Sequence, residues 1–505
     1  MRSADARPVA EGGQGASARP MLAADRDGYI AAHGLWSEHQ YAAAGQMRRV
    51  IDELGLELIR FSFADQHGVL RGKTLTRDAV PAALRSGVTA PSSLLLKDTS
   101  GKTVFPVFAA DPGLGVAGFA GAGDVVLVPD PATFRVLPWA ERTGWILCDV
   151  RFPSGAAVPF CTRGVLRNRV EALAVAGYDL TVGVELEFHV FRTAEAMSAR
   201  QVGRPGAPGL PREVSPVSGG SQLLHEEGLD RLDDLVQLLH HGLTRLDLPL
   251  RSLELEFGPN QLELTLHARD AAQAADDVVL TRSAVRQICR RHGYHATFMS
   301  RPASAEAAST GWHLHQSLRD RATGAPVFDA PSPAEGGLSA IGRRYLGGLL
   351  EHARAATVFT TPTVNGYKRY LPFSLAPDRV VWGADNKGAM VRAVSGPTGT
   401  RLENRSGEPA ANPYLYIASQ IVSAMDGLAR RLDPGPPVED PYDAKAGSLP
   451  RSLAEALDAL DADPVFAADL GEEVVSWYSA LKRAEFARYL AHVSDWEQRE
   501  YFELI

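Results

Sequence analysis

Residues Thr181–Phe191 read TVGVELEFHVF. β-Branched and aromatic residues recur at period two, which predicts a strand. Successive side chains of a strand point to opposite faces, so Glu185 and Glu187 share one face and Val184, Leu186 and Phe188 the other. A second acid-bearing stretch, Ser252–Leu266 (SLELEFGPNQLELTL), predicts two strands around a Gly-Pro-Asn turn. Glu254 and Glu256 share a face there, and Glu263 follows seven residues after Glu256. In a third, Thr400–Arg405 (TRLENR), Glu403 sits between Arg401 and Arg405. A charge run is ordinarily a solvated face. These acids, however, are flanked by Leu, Val and Phe, which predicts covered strands. Burying bare carboxylates is costly unless they are paired or bind metal.

Between the second and third stretches lies Thr310–Leu318, TGWHLHQSL, in a chain with 14 histidines. As a strand it would aim His313 and His315 into one cavity. Five such carboxylates with one imidazole are the complement of two divalent cations. An oxygen-rich shell of this kind favours Mg²⁺ or Mn²⁺ over zinc. Cations recur nearby in Asn365–Arg369 (NGYKR), Asn386–Arg392 (NKGAMVR), Arg401 and Arg405. Arginines and a lysine converging on an acidic metal site are most simply explained by an anionic ligand between the two.

The rest of the chain sets the frame. A length of 505 residues predicts two domains, and 45% hydrophobic with 22% charged residues is a globular composition. No apolar run reaches the roughly 20 residues that span a bilayer. The start lacks the apolar core of a secretory leader and predicts a disordered tail over 1–40. Three cysteines outside any CxxC pair suit a reducing, cytoplasmic setting. A net charge of −8 with scattered Lys and Arg excludes a nucleic-acid surface. Tyr41–Leu54 has helical spacing, and a hairpin around Asp65–Gly68 follows, giving a small α+β domain over 41–150. A larger α+β region over 158–505 opens with a helix near Pro159. Ser198–Gly220 and Asp433–Val438 read as a loop or insertion and a break.

In this order the motifs GVELEF, LEFGPNQLE, FMSRP, TGWHLHQSL, NGYKRYLPFSLAP and RLENRSGEPAANPYL resemble the glutamine synthetase family. FADQHGVLRGK and the ending near DWEQREYFEL resemble its two ends. The resemblance implies a small β-grasp domain, a catalytic domain with a curved antiparallel sheet and flanking helices, and a homododecamer of two hexameric rings. Each site would be completed by a neighbour's amino-terminal domain. Glu187, Glu256 and Glu263 would hold one metal, and Glu185, His313 and Glu403 the second. His315, Ser317, Arg392 and Arg401 fall at ATP-contacting positions. Arg369 would grip the α-carboxylate of glutamate, and Arg405 would steady glutamate and the transferring phosphoryl group. Lys387 stands where the family usually has an arginine for that task. The implied chemistry phosphorylates the glutamate γ-carboxylate with ATP, after which an amine displaces phosphate.

The departures cluster on the ammonia side. Leu375 stands where the family carries an acid before the Ala-Pro pair, and Ala90 stands where its amino-terminal aspartate would fall. The glycine-rich loop before the metal histidine reads Ala308-Ser309-Thr310-Gly311, and Trp312 replaces a methionine. Ammonium needs carboxylates and close walls, whereas Leu375 and Ala90 would open an apolar amine pocket. Trp312 would add an aromatic wall if it faced that pocket, although strand alternation turns it away from the face of His313 and toward core packing. The expected activity is therefore a γ-glutamyl ligase acting on an organic amine, apolar or aromatic first and a polyamine second. Ordinary glutamine synthesis and a ring-forming pseudoenzyme are the alternatives. Tyr442 lies near a tyrosine that some bacterial relatives modify.

Overall fold

The computed structural model describes residues 26–193, 199–220, 222–303, 308–330, 337–371, 373–396, 399–443 and 445–505. Helix Glu38–Glu53 starts where the sequence offers a cap: the Ser37 side chain accepts from Gln40 N, and the Gln40 side chain returns to Ser37 N. Its buried stripe is Tyr41, Ala44, Met47 and Ile51. The expected hairpin forms from Leu58–Ala64 and Leu70–Thr76. Leu58–Ala64 also runs parallel to Thr143–Arg151, which pairs with Asp124–Pro129 and Arg135–Val136, and Val88–Pro91 closes the far edge.

The disordered tail expected over 1–40 is corrected from residue 26 onward; residues 1–25 lie outside the described residues. Gly28–Ala32 is a short helix whose Ile30 is 2% exposed against Val126 and Val128. Tyr29, Leu35 and Trp36 pack on the same cluster, the Tyr29 hydroxyl donates to Phe152 O at 2.5 Å, and Trp36 Nε1–H donates to Pro129 O at 2.8 Å, so the segment is tied to the small sheet by several side chains. Composition alone, rich in Ala and Gly, concealed it. Within Ser198–Gly220, Val214–Pro216 adds a short strand to the larger sheet.

That larger sheet has nine strands among the described residues. In spatial order they are Trp382–Ala384, Val391–Val394, Arg401–Gly407, Trp312–Asp320, Tyr178–Thr193, Gln261–Asp270 and Leu250–Leu255. Tyr294–Thr297 and Val214–Pro216 pair with the far half of the central strand. All pairs are antiparallel except Trp382–Ala384 with Val391–Val394. Burial alternates in the central strand from Leu180 to Leu186, and from there to Phe191 both faces are covered. Val182, Val184, Leu186, Phe188 and Val190 are each at most 3% exposed. Helices Thr162–Val175 and Ala271–Arg291 pack against that strand, and Pro413–Arg430 packs on both helices. Each such side chain contributes about 1.5–3 kcal/mol by burial, so the apolar face fixes register, and register fixes what the opposite face presents.

The two sheets meet at a buried guanidinium. Arg163, 6% exposed, reaches Asp130 and Asp149 on the small-sheet side and Asp276 on helix Ala271–Arg291. The Tyr414 hydroxyl donates to Asp276 at 2.8 Å. Removing one partner of such a network leaves charge buried without compensation, so it holds the domains in one relative position.

Candidate active site

The acids and histidines come together because five strands present them in adjacent rows. Glu263 stands opposite Glu254 on one side and Glu187 on the other. One row along, Thr265, Glu185 and His313 are partners; in the next, Gly183, His315, Glu403 and Arg392. Glu256 lies just past the end of its strand, in the turn closed by Asn260. Asn260 has φ +65°, a left-handed conformation that Asn tolerates better than most residues. Its side-chain oxygen accepts from Val217 N and Ser218 N, tying the Pro/Gly-rich segment to the sheet.

His313 Nδ1 is 3.2 Å from Glu185 and 3.8 Å from Glu403, and its Nε2 is 3.8 Å from Glu187. Burial, then Arg405, lowers His313 to about 4, so the ring is neutral at pH 7 and offers a lone pair. His315 is different. Its Nδ1 faces the Arg401 Nε–H at 3.2 Å, a group that only donates, so Nδ1 is the acceptor and Nε2 carries the proton toward Glu185 at 2.8 Å. In that tautomer His315 orients Glu185.

The carboxylates are strained by one another. Burial, followed by repulsion from Glu185, Glu187, Glu256 and Glu254, pushes Glu263 up to about 9. Burial and then Glu256 push Glu187 up to about 7, and burial raises Glu256. Burial also works against Glu185, but hydrogen bonds from His313 and His315 hold it well below the usual carboxylate range. Groups that take up protons for want of a cation fit a cation site. The convergent sets are Glu185, Glu263 and His313, and Glu185, His315 and Glu403. The oxygen-dominated donors suit Mg²⁺ or Mn²⁺. Glu263 therefore groups with Glu185 and His313, while Glu187 Oε2 is engaged by Gln261 Nε2 at 2.8 Å and Gly311 N at 3.0 Å.

Metal removal has a sign that follows. An acid whose folded pKa is raised stabilises the fold below its unfolded value, near 4.3, and loses that contribution as pH rises through the folded value. Metal-stripped protein is thus expected to lose melting temperature steadily from about pH 5 to pH 9, with Mg²⁺ restoring progressively more toward pH 9. A flat profile in chelator would contradict the carboxylate clustering.

An anion-facing side completes the site. Glu403, 0% exposed, accepts from Arg392 NH1 at 2.9 Å and from Arg405 NH1. Arg392 is also held by Asp385 at 2.9 Å. Arg369, 3% exposed, donates to Ser406 O at 3.1 Å and Arg405 O at 3.4 Å. Its Nε–H and that of Arg405 are buried with no partner among the described residues, two charged donors left for a ligand. Gly311 lies where these groups converge. A Cβ there would stand 2.8 Å from Arg369 NH2, 3.1 Å from His313 Nε2 and 3.4 Å from Glu187. Beside the acids, His315, Ser317, Arg401, Arg251, Gly183 and Thr181 line a cavity of about 300 Å³. Ser317 Oγ donates to Thr400 O at 3.1 Å. Lys387 is exposed, and its charge acts on Glu256.

Two expected pocket residues are corrected. Trp312 is 0% exposed on the core side of its strand, its ring 4.8 Å from Tyr416 and edge-on to it. Ala90 is 3% exposed, turned into the core of the small domain by the same period-two alternation. Leu375 does reach the surface, 49% exposed with φ +60°. Phe373, two residues earlier, is 79% exposed and its ring centroid lies 4.9 Å from that of Tyr442. The Tyr442 hydroxyl is buried. Gln261 was missed, although it sits in the GPNQLE motif two residues before Glu263 and so on the same face. Glu408, which accepts from Ser300 Oγ at 2.6 Å and Thr363 N at 2.7 Å, was also missed although it stands in the RLENRSGEPAANPYL motif, whereas Asp385 carried no pattern that could have found it.

Residues 159–501 match the family described as glutamine synthetase, catalytic domain. The chain belongs to the glutamine synthetase family. It is an enzyme of the ligase type that this family comprises. This family member is 44% identical to the γ-glutamylanilide synthase of an Acinetobacter species over 94% of this chain and 99% of that protein. It is 31% identical to the γ-glutamylethanolamide synthetase of Streptomyces coelicolor, over 93% and 96%. A solved GmaS complex with ADP superposes with a TM-score of 0.75 at 28% identity, covering 90% of this chain and 99% of that one. Among the described residues, no helix is long and apolar enough to cross a membrane.

Proposed function

We propose that this enzyme is an ATP-dependent γ-glutamyl ligase that joins glutamate to an organic amine, with an apolar or aromatic amine as the preferred acceptor and a polyamine next. The observation that carries this reading is the contrast across one site. The acids and guanidiniums that suit phosphoryl transfer are complete, while the acceptor-side acid of the family is replaced by the exposed Leu375 beside Phe373. Similarity to a γ-glutamylanilide synthase supports the same choice.

In this reading the unpartnered N–H groups of Arg369 and Arg405 receive the carboxylate of glutamate and the developing phosphoryl charge. The cavity beside His315, Ser317 and Arg401 takes the nucleotide, with Arg392 at its edge and Lys387 above Glu256. Two Mg²⁺ or Mn²⁺ ions, held by Glu185, Glu187, Glu256, Glu263, His313 and Glu403, would neutralise phosphate oxygens when bound. A γ-carboxylate oxygen attacks the γ-phosphorus and ADP leaves, forming an acyl phosphate. The amine lone pair then attacks the carbonyl carbon, phosphate departs with the C–O electrons, and the amine loses a proton. An aromatic amine is already neutral at pH 7 and needs no acid at position 375 to deprotonate it. An alkylammonium, with a pKa near 10.4, does. The amino-terminal sheet serves as the β-grasp domain that completes a neighbour's site in a dodecamer, and the enzyme works in the cytoplasm.

The test is glutamate-dependent ADP release across ammonia, ethanolamine, alkylamines, polyamines and anilines, with mass spectrometry of the amide. Expected is a kcat/KM for an aniline or small apolar amine at least about tenfold above that for ammonia, a difference of 1.4 kcal/mol. Comparable turnover with ammonia would return the protein to ordinary glutamine synthesis.

A further inference from the structure

A second cavity, of about 180 Å³, lies at the far end of the central strand from the metal-binding acids. Arg212, Arg286, Gln287, Arg290, Tyr294 and His295 line it, beside Thr193 at the strand's end. Three further guanidiniums crowd its rim. Arg192 stacks over Tyr294 at 5.1 Å. Arg60 reaches in from the small domain to Gln287 Oε1 at 2.9 Å. Arg291 donates to Gln287 O at 3.3 Å. None of these six arginines contacts a carboxylate among the described residues. The one carboxylate whose field reaches Arg286 is Asp65, and that group is already bound to Arg71 at 2.6 Å. Burial, then Arg212 and Arg286, hold the His295 imidazole below its usual value, so its ring nitrogens are neutral donor or acceptor sites among fixed positive charge.

Clustered guanidiniums repel one another, and a fold that gathers them from four segments without acids gains stability from any anion that enters. We propose that this cavity is a second, non-catalytic binding site for a small dianion, a tetrahedral oxyanion or a short dicarboxylate, held by Arg212, Arg286 and Arg290. The forked guanidinium favours such groups by paired hydrogen bonds. Its place gives an effector leverage. Arg60 belongs to the small domain, while Tyr294–Thr297 pairs directly with the strand bearing Glu185 and Glu187, so a bound anion would bridge the domains beside the metal-binding strand.

The test is thermal melting and calorimetric titration of the full-length protein with sodium sulfate and, separately, sodium malonate. MgADP and glutamate are kept saturating so that the active site is filled, and NaCl matches the ionic strength. Expected is a saturable rise in melting temperature with one of the two probes. In the Arg286→Gln/Arg290→Gln double variant its midpoint should move at least tenfold, with the melt in NaCl unchanged or higher because like charges have been removed. An equal response in variant and parent, or none beyond NaCl, would overturn the site. A change in assembled mass of the variant by light scattering would also overturn it, showing that a neighbouring copy covers the arginines. The Arg286→Lys variant, which keeps charge and loses the fork, separates specific binding from simple screening: it should weaken the midpoint, and an unchanged midpoint counts against the site.

Discussion

Replacing Glu263 by Gln is expected to lower glutamate- and ATP-dependent ADP release by about 10³-fold, the scale on which removing one charge-stabilising group from a preorganised site acts. The same change should stabilise the metal-free protein at high pH. Glu263 is 8% exposed, and burial, followed by repulsion from four surrounding carboxylates, pushes it up to about 9. At pH 9 in chelator the parent must place another negative charge there; the amide does not. The variant is therefore expected to melt several degrees above the parent at pH 9 in chelator, to match it at pH 5, and to gain less from Mg²⁺. Loss of activity accompanied by a lower melting temperature at pH 9 would mark Glu263 as a packing residue and not a cation ligand. The opposite movement of activity and metal-free stability distinguishes a functional carboxylate from a structural one.

Leu375→Glu is expected to shift selectivity toward ammonia by about 10- to 100-fold, measured as the ratio of kcat/KM for ammonia to that for an aniline. A charge-assisted hydrogen bond to ammonium contributes about 1.5–3 kcal/mol, which sets that range. The backbone supports the substitution. Position 375 already holds an L-residue at φ +60°, so glutamate inherits the strain leucine bears, and at 49% exposure the carboxylate enters without steric conflict. Phe373→Ala should act on the other arm, raising KM for the aromatic amine with little change for ammonia. If neither variant moves the ratio, acceptor choice does not reside in the 371–378 segment.

How far the site could be read in advance follows from period two. Strand alternation puts Glu185 with Glu187, and His313 with His315, on shared faces without knowledge of partners, whereas Glu263 stands out by its place in LEFGPNQLE and Glu403 by the arginines on either side of it. Gln261 obeys the same rule and was overlooked only because a neutral amide carries no charge to draw notice. Trp312 and Ala90 show alternation overriding chemistry: the period of its strand turns Trp312 away from the face of His313 and into the core, and Ala90 sits on the inward phase of its own strand and is buried.

The sequence alone therefore determined which residues are acids on strands, that the strands are covered on one side, and the family to which their order belongs. Those properties are local, set by side-chain period and by the cost of burying charge. Only the tertiary structure decided which acids meet. Strand register places Glu263 between Glu254 and Glu187 and brings Thr265, Glu185 and His313 into one row, and it draws Glu185, Glu263 and His313 into one group. It also decided that Arg401 fixes the tautomer of His315, and that arginines from four distant segments gather at the strand's far end. Register is a long-range property: it is chosen by how two apolar faces pack, and nothing in the spacing of charged residues along a single strand encodes it.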